Sequence, residues 1–145
     1  RRWTPDVTFR VEVNTVVQCR LWVGMVSADP LSLTDPDTIS CAAFRFVHGV
    51  DAGNTWRTAT SNGTASTIKN ANVPIAVNTA YDMRIRHVAG GRVEFLIDGA
   101  LVAVHEQAAG DLVPAAATNL GPVAALQHYV DDGLGKAIRF GFWRA

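Results

Sequence analysis

The 145-residue sequence predicts an all-β domain, an antiparallel two-sheet β-sandwich of the jelly-roll kind, and three observations carry that reading. Apolar and polar residues alternate with period two in segment after segment, while helical periodicity is nearly absent. The segments are short and are punctuated by turn-forming pairs: Asn62-Gly63, Gly90-Gly91 and Asp98-Gly99. Hydrophobic residues make up 48% of the chain and charged residues 18%, enough apolar material for one packed core. A chain of this length buries roughly 70% of the surface its unfolded form exposes. No linker, fixed-period repeat or low-complexity tract divides it, so residues 1–145 read as one domain.

Taken in order, Val7, Phe9, Val11 and Val13 alternate with Thr8, Arg10 and Glu12, a strand with one buried face. VVQCRLWVGMV is apolar on both faces, as a central strand is, and SADPLSLTDPDTIS is a long loop. CAAFRFVHG resumes strand character. WRTAT and TASTIKN flank Asn62-Gly63, the preferred pair of a type I′ turn, and their Thr and Ser residues on both faces point to an edge. YDMRIRHV, RVEFLID and ALVAVHE follow as a three-strand meander turned by Gly90-Gly91 and Asp98-Gly99. VAALQHYV and KAIRFGFWRA, separated by Asp131-Asp132-Gly133, close the chain. The count is nine or ten strands, with at most one short helical turn in 107–118 or 121–128. In RVEFLID, Val93, Phe95 and Ile97 share the core face; Leu96 on the other face marks where a second layer or a partner packs.

Formal net charge is zero, from 13 basic and 13 acidic residues, which argues against nucleic acid as a partner. No apolar run reaches the ~20 residues of a membrane-spanning helix. The chain opens RRWTPD, without a secretory leader or initiator Met, and is expected to be a processed or excised part of something longer. Cys19 and Cys41 read as free buried thiols, with one disulfide between neighbouring strands as the alternative.

Glycoside hydrolysis needs two carboxyl groups about 5–5.5 Å or about 6.5–9.5 Å apart. Glu94 and Asp98 are four positions apart on a strand, about 13 Å, and Asp98 is the residue an Asp-Gly turn requires. The only other glutamates are Glu12 and Glu106, and no Glu-x-Asp-x-Glu occurs. His48, His87, His105 and His128 lie singly on different segments, without His-x-His or His-x-x-x-His spacing. LTDPDT and VDAGNT offer loop oxygens for Ca²⁺, against their simpler reading as turn formers. Asn62-Gly63-Thr64 matches a glycosylation acceptor but is explained by a hairpin tip. The best candidate binding group is Asn54, Trp56 and Arg57: an aromatic platform beside a polar loop suits a sugar ring or a protein partner. The competing reading packs Trp56 over a sheet edge. Trp22 and Trp143 are expected in the core; Trp3 is either partner-facing or the first core contact.

VPIAVNTAYDMRIRHVAGGRVEFLIDGALVAVHE resembles the signature stretch of concanavalin A-like (laminin G-like) jelly rolls. In those domains a Tyr-led strand precedes a strand of the form Val-x-Phe-x-Ile-Asp/Asn-Gly; Tyr81, Met83, Ile85, Val93, Phe95, Ile97, Asp98 and Gly99 match, followed by Leu101 and Val102. CAAFRFVHGVDAGNTWRTATSNGT and KAIRFGFWRA are similar to the version in bacteriophage capsid decoration, head-fibre and tail proteins, so the resemblance spans about residues 40–145. A full domain of that class has further N-terminal strands, which this chain is expected to lack. The glucanase Glu-x-Asp-x-Glu strand and the lectin paired-metal residues are missing, and no enzyme activity carries over. The resemblance implies a non-catalytic virion structural module, a phage decoration or tail protein acting through protein–protein contacts, with self-association as a homo-oligomer, a trimer, and localisation in the virion. The alternative is a carbohydrate-binding, lectin-like module with surface glycan as partner, and behind it a glycoside hydrolase of the same fold.

Overall fold

The computed structural model describes residues 6–30, 35–115, 118–128 and 137–143. Among the described residues there are ten strands: β1 (Asp6–Val13), β2 (Cys19–Val26), β3 (Ser40–Val47), β4 (Thr55–Asn62), β5 (Ser66–Pro74), β6 (Ala80–Val88), β7 (Arg92–Ile97), β8 (Ala100–Glu106), β9 (Gly121–His128) and β10 (Ile138–Trp143). They form two five-stranded antiparallel sheets, ordered β10-β1-β6-β7-β8 and β5-β4-β3-β2-β9. The predicted β-sandwich is therefore the observed fold, with the edge position of β5 and the β6–β8 meander as expected. Residues 121–128 form a strand, and only a 3₁₀ turn at 107–109 answers the expected helical turn. Trp3, the Asp131-Asp132-Gly133 turn and the Trp143 side chain lie outside the described residues.

Turn chemistry explains the meander. Asp98 and Gly99 have φ of 50° and 81°, the left-handed pair of a two-residue type I′ hairpin between Ile97 and Ala100. Val88 instead pairs with Arg92, so the β6–β7 turn is a three-residue loop in which Gly90 and Gly91 take φ of 85° and 72°. The Asp98 side chain accepts a 2.8 Å hydrogen bond from the Asp82 N–H, so it serves the turn. Asn62-Gly63 departs from expectation: only Gly63 has positive φ, and the Asn62 carboxamide oxygen accepts hydrogen bonds from Thr64 and Ala65 N–H. This is an Asx-type turn in a longer loop, not a type I′ hairpin.

Alternation builds the core. Val7, Phe9, Val11 and Val13 of β1, Tyr81, Met83 and Ile85 of β6, and Val93, Phe95 and Ile97 of β7 face Leu21, Val23, Met25, Phe44 and Phe46 of the second sheet. Phe44 and Phe95 meet edge-to-face across the sheets at 5.2 Å. Burying each such large apolar side chain stabilises the fold by about 1.5–3 kcal/mol before entropy is counted. β2 is buried on both faces because the outer face of its sheet carries a second apolar cluster of Trp22, Val26, Ile39, Cys41, Ala43 and Ala59. Trp22 is thus buried on the outer side, not between the sheets. Gly24 makes β2's close packing possible: a Cβ there would stand 2.5 Å from the Ala42 carbonyl oxygen. Cys19 and Cys41 are buried thiols not joined in a disulfide, one in each cluster.

Candidate functional site

The Asn54–Trp56–Arg57 candidate is split by the strand it sits on. Asn54 ends a 3₁₀ turn with φ of 46°, and its carbonyl accepts the Ile75 N–H at 2.8 Å. Trp56 is 0% exposed and packs edge-to-face on Tyr81 at 6.2 Å, inside the main core. The exposed-platform expectation is corrected: inward alternation along β4 places Trp56, Thr58 and Thr60 on the core side and Arg57 on the outer side. The Trp56 indole N–H has no hydrogen-bond partner among the described residues. Tyr81 fastens the neighbouring loop, accepting the Ala76 N–H at 2.7 Å and donating to the Pro74 carbonyl at 3.0 Å.

Arg57 belongs to a buried ionic group on the outer face of the second sheet. Register places Trp22, Arg45, Arg57 and Asn70 in one cross-strand row. Arg45 donates to Asp51 Oδ1 at 2.9 Å, Asp51 Oδ2 accepts the Val47 N–H at 2.7 Å, and Arg57 Nε lies 3.4 Å from Asp51 Oδ1. Arg57 also donates to the Ala52 carbonyl at 3.1 Å. Asp51, an oxygen donor in one of the two calcium-candidate loops, is thereby committed to guanidinium groups. LTDPDT lies partly outside the described residues, and among those described no three His, Cys, Asp or Glu side chains gather as a metal cluster.

The carboxylates of the meander are likewise ion-paired. Glu94 accepts from Arg86 and Arg92, and Arg92 also donates to Glu106. The Arg86 hydrogen bond leads in holding the Glu94 carboxyl below its ordinary range, with Arg92 adding to it. A glycosidase general acid needs the opposite shift. Leu96 faces outward, paired across the strands with exposed Leu101, a small apolar spot on an otherwise charged face.

Two features lay beyond the sequence motifs. His105 is fully buried, with Nε2 2.9 Å from Thr58 Oγ1 and Nδ1 2.8 Å from Thr60 Oγ1, tying β8 of one sheet to β4 of the other. Burial, with help from the Lys69 charge, lowers its pKa to about 4, so the imidazole is neutral, one nitrogen donating and the other accepting. Lys69 completes the seam by donating to the Val104 carbonyl at 2.8 Å and to Asp111 at 2.6 Å.

The second feature is a cavity of about 610 Å³ at the end of the sandwich where the β4–β5 and β6–β7 turns and the segment after β8 converge. Asn62, His87, Gly91, Gln107, Val113 and Pro114 are among its walls, and among the described residues no Asp, Glu, Lys or Arg lines it. The walls are pinned: the Gln107 N–H donates to the Gly91 carbonyl at 3.0 Å, and Asp111 Oδ2 accepts the Glu106 N–H at 2.8 Å. The Leu112 N–H donates to Thr67 Oγ1 at 2.9 Å. Glycine suits position 91 because its φ is 72°, and a Cβ there would also crowd Gln107, 2.7 Å from Oε1 and 3.0 Å from Cβ. Burial lowers the His87 pKa, which favours its neutral form.

No family model matches this chain, and no curated protein matches it. Among solved structures it is similar to the carbohydrate-binding module CBM66 from Bacillus subtilis, at TM-score 0.53 and 15% identity over 94% of this chain and 72% of that one. It is also similar to the Caenorhabditis elegans galectin LEC-6, at TM-score 0.52 and 14% identity over 85% of this chain and 79% of that one. The likeness is one of fold. It supports the β-sandwich assignment, and at these identities it transfers no residue roles.

Proposed function

We propose that this chain is a non-catalytic carbohydrate-binding, lectin-like module. The observation that carries the reading is the likeness, over 94% of the chain, to a domain named for carbohydrate binding, joined by a galectin of the same architecture. The uncharged polar cavity at one end of the sandwich is consistent with it, since such a concavity is what a small polar ligand needs. The paired state of Glu94 and the turn duty of Asp98 fit a role without catalysis. The test is a glycan array probed with the full chain, followed by calorimetric titration of the hits. Saturable binding to a defined set of glycans is expected; a blank array overturns the reading.

A second reading, a virion structural module of the phage decoration or tail class, requires a surface for self-association, and one feature offers a candidate for it. Phe140, on edge strand β10, is 59% exposed beside a cleft of about 380 Å³ whose walls include Phe9, Pro122, Val123 and Ala124. Edge strands invite pairing, and a second copy of this chain is the occupant that this reading requires, with a trimer as the expected closed assembly. Sedimentation equilibrium decides it: Phe140→Asp should dissociate the oligomer, and a monomer at every concentration sinks the idea.

A further inference from the structure

Resting on the carbohydrate-binding reading, we infer that the cavity bounded by Asn62, His87, Gly91, Gln107 and Pro114 is the ligand site, and that it takes an uncharged saccharide. Its volume, about 610 Å³, falls within the roughly 300–1,000 Å³ of small-ligand pockets. Its chemistry selects the class. Carboxylated, sulfated or phosphorylated sugars are recognised by Arg and Lys, and none lines the cavity among the described residues. A cationic ligand would call for carboxylates or an aromatic cage, and the described walls hold neither. The walls instead combine the Gln107 carboxamide and the His87 imidazole, groups that both donate and accept, as hydroxyls do. With them stands Asn62, whose carboxamide oxygen is held by Thr64 and Ala65 and whose amide N–H groups can donate. Val113, Pro114 and Ala115 supply apolar surface for the C–H faces of a sugar ring.

Position strengthens the assignment. The outer face of the second sheet, the other broad surface, is filled by its own side chains: Trp22, Arg45 and Asp51 are buried there. The cavity lies at the end of the strands, and its rim is rigid because Gly90 and Gly91 hold a left-handed turn and Gln107 is bonded back to Gly91. Asn54 and Arg57 sit at the opposite end of β4, so the two candidate sites separate cleanly under mutation.

The experiment uses the full chain on the glycan array with titration of the best hit. Gln107→Ala removes a wall carboxamide, and Ala115→Trp fills the cavity from an exposed wall position. Arg10→Ala, on the far face, is the control. Hits confined to neutral glycans are expected, with each wall variant weakening binding about tenfold or more, the scale of one or two lost hydrogen bonds. Melting temperatures within a few degrees of the parent exclude loss of fold. Hits confined to acidic glycans, wall variants that bind as the parent does, or loss confined to Asn54→Ala and Arg57→Ala overturn the site while the carbohydrate reading stands. A blank array for the parent chain overturns that reading itself.

Discussion

Arg10 and Arg45 stand on the outer faces of opposite sheets, and each meets an aspartate at nearly the same distance, 3.0 Å to Asp82 and 2.9 Å to Asp51. The side chains of the first pair are 55% and 56% exposed; those of the second are 3% and 5%. The first pair stands on an open charged face with Arg84–Asp6 and the Arg86–Glu94–Arg92–Glu106 network. The second lies on a face that also carries the Trp22 cluster, with Asp51 bonded to the Val47 backbone as well. Identical chemistry thus does different work. Water competes with the exposed pair and screens it, whereas the buried pair holds the 48–54 connection in place and leaves a stranded charge if either partner is lost.

The largest expected effect follows from that stranded charge. Arg45→Ala or Asp51→Ala should each destabilise the protein by about 3–5 kcal/mol, read as a shift in the urea midpoint. Replacing both, as Arg45→Met with Asp51→Leu, should recover only part of the loss, because Arg57 and the buried Val47 N–H still lose their Asp51 acceptor. Equal additivity of the two single losses would show that the pair acts through separate contacts.

A somewhat smaller effect is expected where the sheets meet at their β5 and β8 edges. His105 titrates near 6.5 when unfolded and at about 4 when folded, so the unfolded chain binds more protons between those values. Stability is therefore full above pH 6.5 and falls as pH drops toward 4, by about 3 kcal/mol at 1.36 kcal/mol per unit. Lys69, whose charge opposes protonation, and Asp111, whose charge favours it, face the same ring. The lowered carboxyl pKa values of Asp6, Glu94 and Asp111 act as pH falls through and below their ordinary 3.8–4.5, so their window meets that of His105 only at its acid end. His105→Gln should lower stability at pH 7 and flatten the slope between pH 4 and 6.5. A parent chain equally stable at both ends of that window would remove His105 from the account.

What could be read beforehand and what could not divide along the same line between local and assembled structure. The meander was legible because its turn residues are fixed by backbone geometry: Gly90, Gly91, Asp98 and Gly99 all take positive φ. Trp56 was misplaced because its strand neighbours on the core side, Thr58 and Thr60, look solvent-facing in sequence. Their hydroxyls are satisfied by His105, which lies more than 40 residues away. Asn62-Gly63 signalled a turn correctly but not its type, since the Asn62 side chain competes for the turn's own N–H groups. The Arg45–Asp51 group left a faint trace, a lone charge within the apolar CAAFRFV, that gained meaning only beside Asp51. The cavity left none: its walls come from separated segments, and Gly90-Gly91 read only as a hairpin.

The smallest effect is the most discriminating for the comparison of the two faces. A double-mutant cycle on Arg10→Ala and Asp82→Ala should give a coupling of about 0.2–1 kcal/mol at low salt. In 1 M salt, where the Debye length is about 3 Å, the coupling should vanish. The cycle is clean because Asp98 accepts its bond from the Asp82 backbone N–H, which alanine keeps. The Arg45–Asp51 cycle run beside it should keep its coupling in the same salt, since ions do not reach a pair this buried. If both couplings fall together, the outer face of the second sheet is open to solvent, and the contrast between the two aspartate pairs disappears.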